Sequence, residues 1–255
     1  MTIHSDAAGP LRQTGEGAWI ALPTYNEREN LAAVIAAIRQ SVPAAHVLIV
    51  DDNSPDGTGQ LANELALADD HVNVLHRPDK EGLGAAYREA FRHLLAEPGC
   101  EVIVQMDCDF SHDPRQLPDL LAQTAAADLV LGSRYVAGGS TPGWGLKRRM
   151  ISRGGSLFAR TVLGLPYRDL TGGFKAWRSS MLRLVDQDGG YANGYGFQIE
   201  TTWRAHQLGA VVREVPITFR DRVAGDSKMS AGIMWEALRM VFQLRSQRMP
   251  RLRRS

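Results

Sequence analysis

Five short apolar runs, each separated from the next by a helical pattern, dominate the first half of the chain. AWIAL (18–22), HVLIV (46–50), VNVLHR (72–77), EVIVQM (101–106) and ADLVLGS (127–133) read as strands. Between them, ENLAAVIAAIRQSV (29–42) places Leu31, Val34, Ile35 and Ile38 at helical spacing. Segments 58–68, 83–97 and 114–125 carry similar helical patterns. Strands alternating with helices of this length predict a mostly parallel sheet with helices on both faces and right-handed crossovers. Roughly residues 18–135 are therefore read as α/β.

The pattern loosens further on. GGSTPGWG (138–145) reads as a loop, and KRRMISRGGSLFARTVLG (147–164) as a basic helix. VVREVPITF (211–219) is a late strand, and 230–248 a terminal amphipathic helix. The expected organisation is a mobile arm (1–17), one catalytic domain (18–229), and a C-terminal helix with a basic tail (230–255).

A chain of 255 residues with 44% hydrophobic residues can bury a sizeable core. Its net charge of +1 argues against a general nucleic-acid binder. The charge is unevenly spread, with six arginines and no acid from Arg239 to Ser255. Two cysteines, Cys100 and Cys108, are too few for a disulfide framework, so a reducing compartment is expected. The N-terminal stretch has no signal-type apolar core, and no run of 18 apolar residues exists. Any membrane role is expected at the surface.

Ligands of open parallel sheets bind outside the carboxyl ends of the strands. Here those ends carry PTYNE (23–27), DDNSPDGTG (51–59), DCDFSHD (107–113) and Arg134 of GSRY. Part of this is ordinary turn and capping chemistry: the 51–57 segment suits a turn, Glu27 can cap a helix, and Asp113 before Pro114 is an N-cap. Asp107 and Asp109 are harder to explain that way. Two like charges on one side of an extended segment repel and call for a cation. Hard oxygen ligands suit Mg²⁺ or Mn²⁺, which fills its shell with phosphate oxygens.

In order along the chain, PTYNE, VDDNSPDGT, MDCDFSHDP, GSRYVAGG, WGLKRRMISRG, DLTGGFKAWR, GYGFQIE and EVPITFRDRVAGDSK resemble glycosyltransferase family 2. More closely, they resemble its polyprenyl-phosphate (dolichyl-phosphate) mannose synthases, from about Trp19 to Lys228. The resemblance implies a GT-A type nucleotide-sugar fold, GDP-mannose as donor and a divalent metal, Mg²⁺ or Mn²⁺. It makes Pro23, Tyr25, Glu27, Val50 and Asp52 donor contacts. It makes Asp107, Cys108 and Asp109 the metal and diphosphate segment, with the carboxylates of Asp107 and Asp109 as metal ligands. Arg134, Arg222 and Lys228 become donor-phosphate contacts and, with Asp109, the catalytic set. Two departures stand out: Cys108 where Ala is usual, and Ser111 where some relatives carry Gln.

The implied reaction is a single inverting displacement by a lipid monophosphate, giving a β-linked mannosyl phosphate. That nucleophile is mostly dianionic at neutral pH and needs no dedicated base. Arg134 and Arg148 are expected at the acceptor phosphate, with Arg153 a lesser candidate. Gly225 and Ser227 suit a lid loop. The resemblance is to the subtype expected to consist of the catalytic domain without the C-terminal membrane helices of some relatives. The chain's place is therefore expected to be cytoplasmic and peripheral, at the membrane surface or on a membrane-anchored partner. The terminal helix, with Ile233, Met234, Ala237, Leu238, Val241 and Leu244 on one face, suits either core packing or an interfacial anchor aided by the basic tail, with Trp235 and Phe242 off the stripe. A UDP-sugar donor and a non-catalytic sugar-nucleotide-binding subunit are the rival readings.

Overall fold

The structure is a computed structural model and describes residues 13–186, 195–221 and 231–247, with backbone only for 195 and 231–238. Arg222, Gly225, Ser227, Lys228 and the tail arginines from Arg248 onward lie outside the described residues, as does the side chain of Trp235.

Among the described residues, seven strands form one sheet. They are β1 (Ala18–Thr24), β2 (His46–Asp51), β3 (Val72–His76), β4 (Val102–Gln105), β5 (Leu129–Ser133), β6 (Lys175–Arg178) and β7 (Val212–Pro216). The order is β3-β2-β1-β4-β6-β5-β7. Every pairing is parallel except those of β6, which runs antiparallel between β4 and β5. The helices are α1 (Arg28–Ser41), α2 (Thr58–Ala68), α3 (Leu83–Ala96), α4 (Leu117–Gln123), α5 (Leu146–Leu163), α6 (Ser179–Asp186), α7 (Tyr195–Gln207) and α8 (Ala231–Ser246).

Both faces of the sheet are buried, so alternate residues of each strand feed two different cores. Ile20, Leu22, Val47, Ile49, Val102 and Val104 pack on the side of α1 and α4. Trp19, Ala21, Leu48, Val50 and Ile103 pack on the other side, with Tyr87 and Phe91 of α3, Leu163 of α5 and Phe197 of α7. This explains the nearly continuous apolar runs. The described end of α8 joins the second core through Met240, Val241 and Leu244. Of the two readings of that helix, core packing holds for the described part of its stripe. Phe242 stays exposed and meets Phe158 edge-on.

The sheet order grows in one direction from β1 to β3 and in the other from β1 to β4. The crevice between the carboxyl ends of β1 and β4 is thus a topological switch point, where such sheets bind ligands.

Candidate active site

At the first edge of the crevice, β1 and β2 end in register, Pro23 beside Val50 and Thr24 beside Asp51. The acids that follow β2 divide their work. Asp51 accepts the Ser54 amide and hydroxyl, at 3.2 and 2.6 Å. Asp56 accepts the amides of Arg28 and Thr58 and the Thr58 hydroxyl, which ties together the starts of α1 and α2. These two are turn and cap residues. Asp52 instead pairs with buried Arg77, which also holds Glu81 and Glu89, each at 2.8 Å. Burial raises the Asp52 carboxyl, and Arg77 offsets this only in part.

Tyr25 is half-buried, with the Lys80 ammonium 3.5 Å from its ring centroid. The Glu27 amide donates to the Thr58 hydroxyl, and its carboxylate accepts the Asn30 amide. The Val50 side chain is wholly in the core, so only its backbone faces a ligand.

β4 ends at Gln105, so the next residues form a turn and not the extended segment expected. Phe110 sits in the left-handed region with φ 58°. The turn still groups the acids: both Asp107 and Asp109 act electrostatically on Tyr87, Cys108 and His112. Asp109 is buried and accepts the Ser111 amide at 3.0 Å. The Cys108 side chain packs into the core, and burial pushes its thiol well above the ordinary range. A thiol held protonated is neither ligand nor nucleophile.

His112 was not singled out in the sequence. Its ring is buried, stacks on Phe174 with centroids 4.9 Å apart, and meets Phe219 edge-on. Its Nδ1 accepts the Asp107 amide at 3.0 Å, which puts the ring proton on Nε2. Burial lowers its pKa, outweighing the two nearby aspartates. His112 is therefore a neutral pin for the acidic turn. The same turn holds the strand exit, since the Arg220 amide donates to the Ser111 carbonyl. The chain leaves the described residues just after Asp221.

No cluster of three or more His, Cys, Asp or Glu side chains able to hold a metal occurs among the described residues. Two carboxylates and the buried Ser111 hydroxyl, which lacks a partner there, make an oxygen-only set. This fits a hard divalent ion that takes its remaining oxygens from a diphosphate.

The second edge of the crevice is cationic and aromatic. Arg134 follows β5 and is buried. Its backbone amide and Nε donate to Asp169 Oδ2 at 3.0 and 2.7 Å, and its Nη2 donates to Asp169 Oδ1 at 2.7 Å. Thr171 Oγ1 takes a further bond from Nη2. Burial would raise the Asp169 carboxyl, but the Arg134 charge and these bonds hold it below the ordinary range. Around the guanidinium stand Tyr135, Trp144 and Phe219, with ring centroids 5.2, 5.6 and 5.3 Å away. Arg148 lies 4.1 Å from the Trp144 centroid and pairs with Asp221. Arg153 lies over Tyr135, whose hydroxyl bonds Ser152. Arg134, Arg148 and Arg153 are thus gathered on one aromatic wall. Arg134 is committed to Asp169 and Arg148 pairs with Asp221, while Arg153 is exposed.

Residues 19–185 match glycosyl transferase family 2. The chain belongs to that family. It is 50% identical to the undecaprenyl-phosphate mannosyltransferase of Micrococcus luteus over 85% of this chain and 89% of that protein. It is 48% identical to the polyprenol monophosphomannose synthase of Mycolicibacterium smegmatis over 86% of this chain and 83% of the other. Among solved structures, glucosyl-3-phosphoglycerate synthase of Mycobacterium tuberculosis, in complex with Mn²⁺, UDP-glucose and phosphoglyceric acid, is similar in fold. The TM-score is 0.63 at 20% identity, covering 94% of this chain and 86% of that one. The chain thus has the GT-A type fold of a family 2 glycosyltransferase.

Proposed function

We propose that this family 2 glycosyltransferase moves mannose from GDP-mannose to a polyprenyl monophosphate, with inversion. The reading is supported by relatives of about 50% identity that are named for mannosyl transfer to such lipids. The observation that carries it is the juxtaposition, on one rim, of the Asp107–Asp109 turn and the arginine–aromatic wall. One edge suits a diphosphate donor and the other a phosphate acceptor.

In this reading Pro23, Tyr25, Glu27, Asp52 and the backbone at Val50 and Cys108 line the nucleoside side. Asp107 and Asp109 would hold a divalent ion, which when bound supplies positive charge to the leaving diphosphate. Arg222 and Lys228, as the resemblance implies, would add charge at the donor phosphates. The acceptor phosphate is already ionised, so no residue need remove a proton from it. Neutral His112 keeps the acidic turn in place and takes no proton. Arg148 and Arg153 draw the acceptor phosphate in, and Arg134, fixed by Asp169, gives the wall its charge and shape.

In this reading the acceptor's lipid tail would bring the enzyme to a membrane surface. No helix among the described residues is long and apolar enough to cross a bilayer. Helix α5 instead exposes Leu146, Met150, Ile151 and Leu157, with Lys147, Arg149 and Arg160 among them. Apolar side chains flanked by cations suit contact with anionic headgroups, directly or beside a membrane-anchored partner.

A transfer assay tests the reading. Purified protein, polyprenyl phosphate in detergent and Mg²⁺ or Mn²⁺ are offered labelled GDP-mannose or UDP-glucose. Mannose in the lipid fraction, lost on chelation, is the expected result. Transfer from UDP-glucose alone would replace the donor, and transfer from neither would overturn the proposal.

A further inference from the structure

We propose that the side-chain amide of Gln198 binds hydroxyl groups of the transferred hexose, and that Gly173 keeps open the space the sugar enters. This rests on the reading above, in which a sugar nucleotide is held beside Asp107 and Asp109. Gln198 stands in the first turn of α7 and is 2% exposed. Its backbone carbonyl is well used, accepting the Lys175 ammonium at 2.6 Å and the Thr202 hydroxyl at 3.0 Å. Its side-chain oxygen and nitrogen have no partner among the described residues. Buried amides in folded proteins are nearly always paired, so one left with both ends open is waiting for a ligand or water.

Gly173 shows which way the amide faces. A Cβ built on Gly173 would lie 3.5 Å from Gln198 Nε2, 3.5 Å from His112 Cε1 and 3.8 Å from Asp107 Oδ1. The amide and a carboxylate of the acidic turn are therefore within 4 Å of one point. Gly173 does not have a positive φ. The three distances are ordinary contacts, so a methyl group would fit among the protein atoms. Neither backbone conformation nor packing calls for glycine here; a ligand that needs the room does. The hexose of a sugar nucleotide is bonded directly to the phosphate that Asp107 and Asp109 would serve. Its hydroxyls must fall next to that phosphate. An amide offers a donor and an acceptor to neighbouring hydroxyls without adding charge to the site. Lys175 and Thr202 hold the Gln198 backbone through its carbonyl.

The test compares wild type, Gln198→Leu and Gly173→Ala. Affinities for GDP and GDP-mannose are titrated with Mn²⁺, beside mannose transfer to polyprenyl phosphate and urea unfolding. Gln198→Leu should bind GDP as wild type does. Its affinity for GDP-mannose and its kcat/KM should fall by about tenfold or more, the worth of a lost hydrogen bond. Its stability should be unchanged or higher, because an unpaired amide gives way to an apolar group. A purely structural role would lower stability instead. Gly173→Ala should fold and show the same selective loss, which guards against a misfolded Leu variant. If wild type uses UDP-glucose, the comparison is between UDP and UDP-glucose, with the same outcome expected. Equal loss of nucleotide and sugar-nucleotide affinity in the variants would overturn the proposal. So would wild-type transfer by both variants. Absence of transfer by wild type from either donor would overturn the parent reading and this proposal with it, and is recognised without any variant.

Discussion

Asp169→Asn tests whether the cationic wall is built on a buried ion pair. In the native chain the Asp169 side chain is 0% and that of Arg134 6% exposed. Three N–H groups of Arg134 converge on that one carboxylate. Asparagine keeps the shape but removes the charge, and its amide turns one acceptor into a donor aimed at the guanidinium. Leaving a buried charge without its partner costs about 3–5 kcal/mol. The Arg134 guanidinium keeps Thr171 and its aromatic neighbours, so the lower half of that range is expected. At roughly 2–4 °C per kcal/mol for a chain of this size, the melting temperature should fall by about 6–16 °C. Urea unfolding is the assay, and the slope m should not change if only stability does. The double variant Arg134→Met/Asp169→Leu should lose much less than Asp169→Asn, since no charge is stranded. The pair also has an acid signature. The folded Asp169 carboxyl is lowered, so its stabilisation is fully present above the ordinary carboxylate range and fades as pH falls through the lower folded value. A loss of less than about 1 kcal/mol in Asp169→Asn, the scale of a solvated surface pair, would refute the reasoning and leave Arg134 open to serve a ligand directly.

Other outcomes follow from the same geometry. Asp109→Ala should abolish metal-dependent donor binding, measured by titration with and without Mn²⁺, while unchanged turnover would remove the metal assignment. Arg148→Ala should raise the KM for polyprenyl phosphate with little effect on donor binding; an unchanged lipid KM would move the acceptor site elsewhere. Replacing Leu146 and Met150 with Ser should weaken sedimentation with anionic vesicles and leave the melting temperature unaltered, since both side chains are exposed. Burial lowers the Lys175 pKa to about 7, so the unfolded chain binds more protons between that value and the ordinary lysine range. Wild-type stability relative to Lys175→Met should therefore rise with pH above neutrality, and a flat difference in urea unfolding would contradict the assignment.

The sheet was legible where burial is two-sided. β1, β2, β4 and β5 are apolar almost throughout because each face has its own core, and the helices between them carry an ordinary one-sided stripe. β6 escapes a pattern reading because KAWR is four residues long and opens on a lysine that is buried and hydrogen-bonded to Gln198 and Thr202. Its antiparallel insertion between β4 and β5 separates two strands that the alternation alone would have placed side by side. The far end of the expected strand 211–219 likewise leaves the ladder after Pro216, where Phe219 bridges to His112 beside the acidic turn.

Helix α7 was hidden for a more informative reason. Its buried positions include Gln198, Glu200, Thr201, Thr202 and Arg204 as well as Phe197, Ile199 and Trp203. A helix that turns polar groups inward shows no clean apolar stripe, so periodicity does not find it. Glu200 and Arg204 pair one turn apart, and Thr202 serves Lys175. Gln198 alone of these has its whole side-chain amide left over. The acids at the strand ends could be read from the sequence because they follow apolar runs directly. The groups that set their geometry, Arg77 for Asp52 and His112 for Asp107, become visible only once the chain has folded back on itself. Asp169 for Arg134 is separated by 35 residues along the chain. Charge-bearing motifs thus announce the site, while the residues that hold those charges still are recognised by whom they touch.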